Sequence, residues 1–204
     1  MKSITYNHMI AFLVTHQLIP CEQHGFLPGR SVQSNLLCCM SDWTKDVASE
    51  RPLDIVYLDF SKTFDRVPKG RLLHESDHLE LRDNLYWWID SFLSDRTFRV
   101  KIGNAVSRSI DARSEVPQGS VLGPLLFIAY TTDIKNIITS SFVIFADDIK
   151  LYNSCDNFSS LSSDLHSIYK WSQVTIEYFA KRYIVIVSSV VSFKTKYDKH
   201  CSKT

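Results

Sequence analysis

Two adjacent aspartates, Asp147 and Asp148, stand between apolar runs: Phe142-Val143-Ile144-Phe145 before them, Ile149 and Leu151 after them. Like charges this close raise the energy of ionising both groups, and Asp is a poor strand former. A buried hairpin carrying such a pair needs positive charge at its tip. Donors that are all oxygen suit a hard divalent cation such as magnesium or manganese. Asp59 closes another apolar stretch, Asp54-Ile55-Val56-Tyr57-Leu58-Asp59-Phe60. If that strand lies beside the hairpin, three carboxylates converge at one sheet edge and can hold two ions about 3.5–4 Å apart for in-line displacement at phosphorus. One ion would activate an attacking 3′-hydroxyl, and the other would stabilise a leaving pyrophosphate. Taken alone, these residues stay open to a plainer reading. An Asp-Asp pair between strands is commonly a solvated turn, and Asp59 could simply cap a following helix.

The elements that must position these groups can be read from periodicity. Apolar positions at Ile4, Met9, Phe12, Leu13 and Ile19 predict an amphipathic helix over 4–19, ended by Pro20. Gly25 to Ser31 reads as a turn-rich loop, with Ser31 capping a helix to about Val47. The β-branched and aromatic run 54–60 predicts a buried strand. Helices follow over 69–79 and 84–93, and Gly103-Asn104 predicts a tight hairpin between 96–102 and 105–112. Pro117-Gln118-Gly119-Ser120 is a turn leading to a helix from Ser120 to Asn136. Strands 141–146 and 149–153 leave Asp147 and Asp148 as a two-residue turn. Leu161, Leu165, Ile168 and Trp171 share one side of a last helix, capped by Asp156 or Asn157. Tyr183–Phe193 is a β-branched run without an assigned place, and Lys194, Lys196, Lys199 and Lys203 form a basic tail. The expected class is α+β, a mostly antiparallel sheet with helices packed on one face.

Composition narrows the field. The 204 residues are 45% apolar and 22% charged, with net charge +1. These values suit a globular core and argue against disorder, while net charge this small says nothing about a local basic groove. The five cysteines lack metal-ligand spacing and read as reduced, intracellular thiols. The apolar run Met9–Val14 is too short and too interrupted for a signal peptide, and no run is long enough to span a bilayer. The expectation is an intracellular protein that is not secreted.

Several longer words carry a family resemblance. Tyr57-Leu58-Asp59-Phe60-Ser61-Lys62-Thr63-Phe64-Asp65-Arg66-Val67-Pro68 resembles the first catalytic motif of reverse transcriptases from non-long-terminal-repeat (LINE-type) retrotransposons. Val116-Pro117-Gln118-Gly119-Ser120-Val121-Leu122-Gly123-Pro124-Leu125-Leu126-Phe127 resembles their second, and Phe145-Ala146-Asp147-Asp148 their aromatic-x-Asp-Asp motif. Gln23-His24-Gly25-Phe26 with Gly29-Arg30-Ser31 resembles an upstream fingers segment, and Trp88–Arg96 a connector helix of the same group. The match runs from about Ile4 to Trp171 in consistent order. It implies an RNA-directed DNA polymerase palm using an RNA template, a DNA primer or target end, and deoxynucleoside triphosphates. Asp59, Asp147 and Asp148 would be catalytic and would hold two Mg2+ or Mn2+ ions. Phe60, Phe64, Gln118, Gly119 and Arg30 would bind substrate: Phe64 as a steric gate against a 2′-hydroxyl, Gln118 and Gly119 at the nucleotide and template site, Arg30 at template phosphates. The plainer roles are a core Phe, a helix-start turn and a solvated Arg.

The likeness lapses in places. Thr63 and Glu115 stand where the family usually has Ala and Gly. After Trp171-Ser172 the family's short Asn and Lys motif is altered: Phe179-Ala180-Lys181-Arg182 lacks the Asn, and Lys181 or Arg182 would stand in. The expected division is a partial fingers region over 1–53, a palm over 54–180, and a diverged strand with basic tail over 181–204, with the thumb absent. The competing reading is a truncated, inactive retrotransposon remnant with at most weak, salt-sensitive nucleic-acid binding.

Overall fold

The computed structural model describes residues 2–60, 63–79, 84–112, 116–117, 119–154, 158–175 and 182–188. The chain forms two compact units that interleave in sequence. One comprises Met1–Ile19 and Lys62–Thr132, the other Pro20–Ser61 and Asp133–Thr204. The first is largely helical. The second contains the sheet and all three carboxylates.

In the helical unit, α1 (Lys2–Thr15) buries Met9 and Leu13 completely. It stops four residues before the expected end. Gln17 adopts φ 54°, Leu18 N–H donates to the Leu13 carbonyl and Gln17 N–H to that of Val14. This left-handed termination closes the helix without a glycine. Helices α3 (Lys69–His78) and α4 (Asn84–Leu93) pack together, and α3 also packs on α5 (Gly123–Tyr130), as does α1. Lys69 joins α3 to α4 through an ion pair with Asp90 at 2.8 Å. Helix α5 is buried along its length but ends at Tyr130, short of the expected Asn136. Thr131 and Thr132 turn their hydroxyls back onto the carbonyls of Phe127, Ile128 and Ala129, and a 3-10 turn runs on to Asn136. The expected hairpin forms as two short ladders. Strand β2 (Thr97–Phe98) pairs with β5 (Ile110–Asp111), and β3 (Lys101–Ile102) with β4 (Ala105–Val106).

In the sheet unit, four antiparallel strands take the order β6-β7-β1-β8: β1 is Leu53–Asp59, β6 Ser141–Phe145, β7 Asp148–Ser154 and β8 Arg182–Ser188. The unassigned β-branched run thus becomes a sheet edge over Arg182–Ser188, while the basic tail lies outside the described residues. Alternation along β1 sends Val56 and Leu58 to one face and Leu53 and Ile55 to the other. The first face packs with Ile149 and Leu151 against Leu161 and Ile168 of α6 (Phe158–Thr175). The second packs with Val143 and Tyr152 against Cys39 and Trp43 of α2 (Val32–Ala48). Helices therefore cover both faces, not the single face expected. Strand β1 requires this, because it is apolar on both sides, and one helical layer would leave half of it wet. Ser31 caps α2 as expected, through a reciprocal box with Ser34. The proposed caps of α6, Asp156 and Asn157, lie outside the described residues. Asp164 of α6 accepts hydrogen bonds from the Thr139 and Ser140 amides at 3.0 and 2.7 Å, fixing the approach to β6. No helix among the described residues is long and apolar enough to cross a membrane.

Candidate active site

The three aspartates meet at one end of the sheet. Strands β1 and β7 pair antiparallel with Asp59 opposite Asp148, the last rung of a seven-residue ladder that begins at Leu53 and Ser154. The register follows from the apolar pattern, because a shift of one residue would turn Val56, Leu58, Ile149 and Leu151 away from α6. Phe145 pairs with Asp148 across the hairpin, so the turn residues are Ala146 and Asp147. The expected turn, Asp147-Asp148, is one residue too late. Asp148 belongs to β7, beside Asp59, and Asp147 occupies the tip. Ala146 takes φ 59° as the first turn residue, a conformation that usually selects glycine in two-residue hairpins.

Asp59 and Asp148 have exposed side chains and Asp147 is half-buried. Partial burial, then the charges of Asp147 and Asp59, push the Asp148 carboxyl above the usual carboxylate range, and the Lys150 ammonium offsets this in part. The Asp148 carboxyl therefore senses both of the others. Their donor chemistry fits a hard divalent cation, and their mutual repulsion is what such a cation would relieve. Their side chains are not drawn into a ready coordination shell: among the described residues, no three His, Cys, Asp or Glu are gathered to hold a metal ion.

A loop that the motif reading placed upstream lies against this hairpin. The Gln23 side chain accepts hydrogen bonds from the amides of Gly25 at 2.7 Å and Ala146 at 2.9 Å, and its amide nitrogen donates to the Ala146 carbonyl at 3.4 Å. His24 N–H donates to the Ile144 carbonyl at 2.8 Å, and Ile144 N–H to the Glu22 carbonyl at 2.9 Å. Asn35 of α2 donates to the same Ile144 carbonyl and accepts from Lys150. Sequence reasoning gave none of these residues a role at the hairpin. The only signal was the Gln-x-Gly word itself, and nothing in it names a partner more than a hundred positions away.

The other expected site residues fall as follows. Phe60 is buried in the core, its ring 6.1 Å from that of Trp171. Arg30 donates from Nη1 to the carbonyls of Gln23, at 2.7 Å, and Cys21, so it braces the loop. Phe64 and Gly119 belong to the helical unit. Phe64 is half-buried, with its ring 4.5 Å from Phe127 and its carbonyl accepting from Val116 N–H. Gly119 takes φ 75°, and open space surrounds its α-carbon, so conformation alone calls for glycine there. Gln118, Glu115 and Lys181 lie outside the described residues. Of Arg182, only the backbone pairing opposite Asp59 is described.

Residues 2–177 match the family model described as reverse transcriptase (RNA-dependent DNA polymerase). The chain is 30% identical over 128 residues to the probable RNA-directed DNA polymerase from transposon BS of Drosophila melanogaster, covering 63% of this chain and 14% of that protein. It is 28% identical over 134 residues to the RNA-directed DNA polymerase from mobile element jockey of the same organism, covering 66% of this chain and 14% of the relative. The chain thus spans about a seventh of the length of these relatives. Among solved structures, telomerase from Candida tropicalis in complex with a TWJ fragment of telomeric RNA superposes with TM-score 0.66 at 12% identity, covering 90% of this chain and 32% of that one. This likeness concerns the fold, which is the mixed α+β arrangement of a polymerase palm. With the family match covering most of the sequence, the chain belongs to the reverse transcriptases of the non-long-terminal-repeat, LINE-type retrotransposons.

Proposed function

We propose that this chain is the catalytic palm of an RNA-directed DNA polymerase, extending a DNA 3′ end along an RNA template with deoxynucleoside triphosphates. The observation that carries this reading is the register of Asp59 opposite Asp148, with Asp147 one residue away at the turn. The relatives named as RNA-directed DNA polymerases support it. In this role Asp59, Asp147 and Asp148 hold two divalent cations, magnesium or manganese. Bound there, the cations supply activation of the 3′-hydroxyl and charge stabilisation on the leaving pyrophosphate. The chain's own part is to keep the carboxylates in register, so that little reorganisation is needed when charge develops. By the family resemblance, Phe64 is the residue that would exclude a 2′-hydroxyl from the incoming sugar; its ring lies 4.5 Å from that of Phe127. By the same resemblance, Gln118 and Gly119 would contact the nucleotide and template.

Primer extension on an RNA template, with magnesium or manganese, tests the reading. Asp147→Ala should lower incorporation by about a thousandfold, as expected when charge stabilisation at a reacting phosphate is removed. A remnant that binds nucleic acid without catalysis is the competing reading, and the ungathered carboxylate side chains favour it. Equal incorporation by the two proteins decides for the remnant.

A further inference from the structure

An alanine at positive φ carries backbone strain of roughly 1–2 kcal/mol that glycine would avoid. Ala146 sits at φ 59° at the first position of a two-residue turn. A contact from outside the turn must hold it there. The side chain of Gln23 makes that contact, bonding both polar backbone groups of Ala146. A primary amide suits the task because it offers an acceptor and a donor on one rigid plane. Gln23 is only 3% exposed, so its bonds lie where water competes little. It is also anchored in turn. Its Oε1 takes the Gly25 amide, its carbonyl takes Arg30, and the flanking bonds between Glu22, His24 and Ile144 run alongside β6. Gly25 closes the arrangement, since a Cβ there would collide with the Ala146 backbone nitrogen.

We propose that Gln23 is a positioning residue for the carboxylate hairpin: it locks the Ala146–Asp147 turn in one conformation and so keeps Asp147 and Asp148 in register with Asp59 for cation binding. This rests on the polymerase reading only for the purpose of the lock, not for its existence. The choice of alanine over glycine at position 146 follows from the same logic. Glycine would reach this conformation without strain and without the glutamine. Alanine leaves few alternatives, and the glutamine selects among them.

The test uses the full chain and three readouts: amide exchange at Ala146, Mn2+ affinity from water-proton relaxation, and primer extension. Gln23→Leu keeps the side chain's bulk and removes both hydrogen-bonding functions. The expected result is Ala146 exchange and Mn2+ affinity each changed by about tenfold in the weakening direction, as for lost support behind a ligand set, while cooperative unfolding is retained. Adding Ala146→Gly to that variant should recover most of the Mn2+ affinity, because glycine needs no lock to reach positive φ; a purely structural role for Gln23 would show no such recovery. Where Gln23→Leu does not fold, Gly25→Ala displaces the same turn from outside and should show the same losses. Exchange and Mn2+ affinity unchanged in Gln23→Leu would overturn the proposal, as would a loss that Ala146→Gly does not recover. If the unsubstituted chain neither binds Mn2+ nor extends a primer, the polymerase reading fails, and Ala146 exchange in Gln23→Leu alone decides whether the lock exists.

Discussion

Two hairpins in this molecule share one turn pattern and differ in almost everything else. Gly103-Asn104 joins β3 to β4, and Ala146-Asp147 joins β6 to β7; in each the first turn residue has φ 59°. The first hairpin has a glycine at that position, open space around it, and short strands with both faces exposed. The second has an alanine there, a buried glutamine on its backbone, and apolar residues packed toward α2 and α6. A turn that only has to reverse the chain can rely on local freedom. A turn that must deliver two carboxylates to a fixed place is held by residues distant in sequence. The difference separates a local solution from a tertiary one, and it can be probed from both sides.

The largest contrast should come from the flanking strands. Leu151 of β7 is fully buried among Val56, Leu58, Leu161 and Ile168, so Leu151→Ala is expected to cost about 2–5 kcal/mol through lost burial and a cavity. Ile102 of β3 is 77% exposed, and Ile102→Ala should stay within about 0.5 kcal/mol. Urea unfolding of the full chain measures both. Comparable losses would mean that the exposed hairpin carries structural weight its surroundings do not show.

A smaller effect separates the turns themselves. Gly103→Ala forces a side chain into positive φ with no outside contact to compensate, at about 1 kcal/mol. Amide exchange across Ile102–Ala105 should quicken by about fivefold, the factor that energy corresponds to. Ala146→Gly relieves a similar strain while freeing the unfolded chain, so its net effect should be within about 0.5 kcal/mol. A gain of about 1 kcal/mol or more in Ala146→Gly would show that the strain at this turn outweighs the freedom returned to the unfolded chain.

The same contrast explains what could be read from the residues in advance. Strand β1, α2 with its Ser31 cap, α3, α4 and the Gly103-Asn104 hairpin all announce themselves locally, by apolar period or turn chemistry. The convergence of Asp59 with Asp147 and Asp148 was also legible, since each closes an apolar strand. The turn itself was not. Local rules favour Asp over Ala as a turn residue, so they place the turn at Asp147-Asp148; the structure places it one residue earlier, where Gln23, remote in sequence, bonds the Ala146 backbone. The end of α1 was hidden for a related reason, because Gln17 takes a left-handed conformation that sequence rules reserve for glycine or asparagine. The shortening of α5 depends on hydroxyls of Thr131 and Thr132 that could equally have pointed outward. Phe60 was read only from its place in a motif, and its packing beside Trp171 came from the fold.

The finest probe of the tertiary hairpin is proton concentration. His24 is 6% exposed and its Nδ1 lies 2.7 Å from Ser34 Oγ, within the loop that grips Ile144. Burial, then the nearby positive charges of Arg30 and Lys150, hold the imidazole below its ordinary value of 6.5, with Glu22 opposing them in part. A histidine whose pKa is lower folded than unfolded is neutral in the native loop and charges more readily in the open chain. Its contribution to stability is therefore complete above about 6.5, and is lost as pH falls through the folded value. The expected slope is below the one-proton limit of about 1.4 kcal/mol per pH unit. It should appear as lower protection of the Ile144 and Ala146 amides, exchange being taken relative to its intrinsic rate, on acidification, with protection across Ile102–Ala105 unchanged. His24→Gln should remove the difference. A pH response of the same size at both hairpins would assign the effect to global charge and not to the grip of this loop on the carboxylate turn.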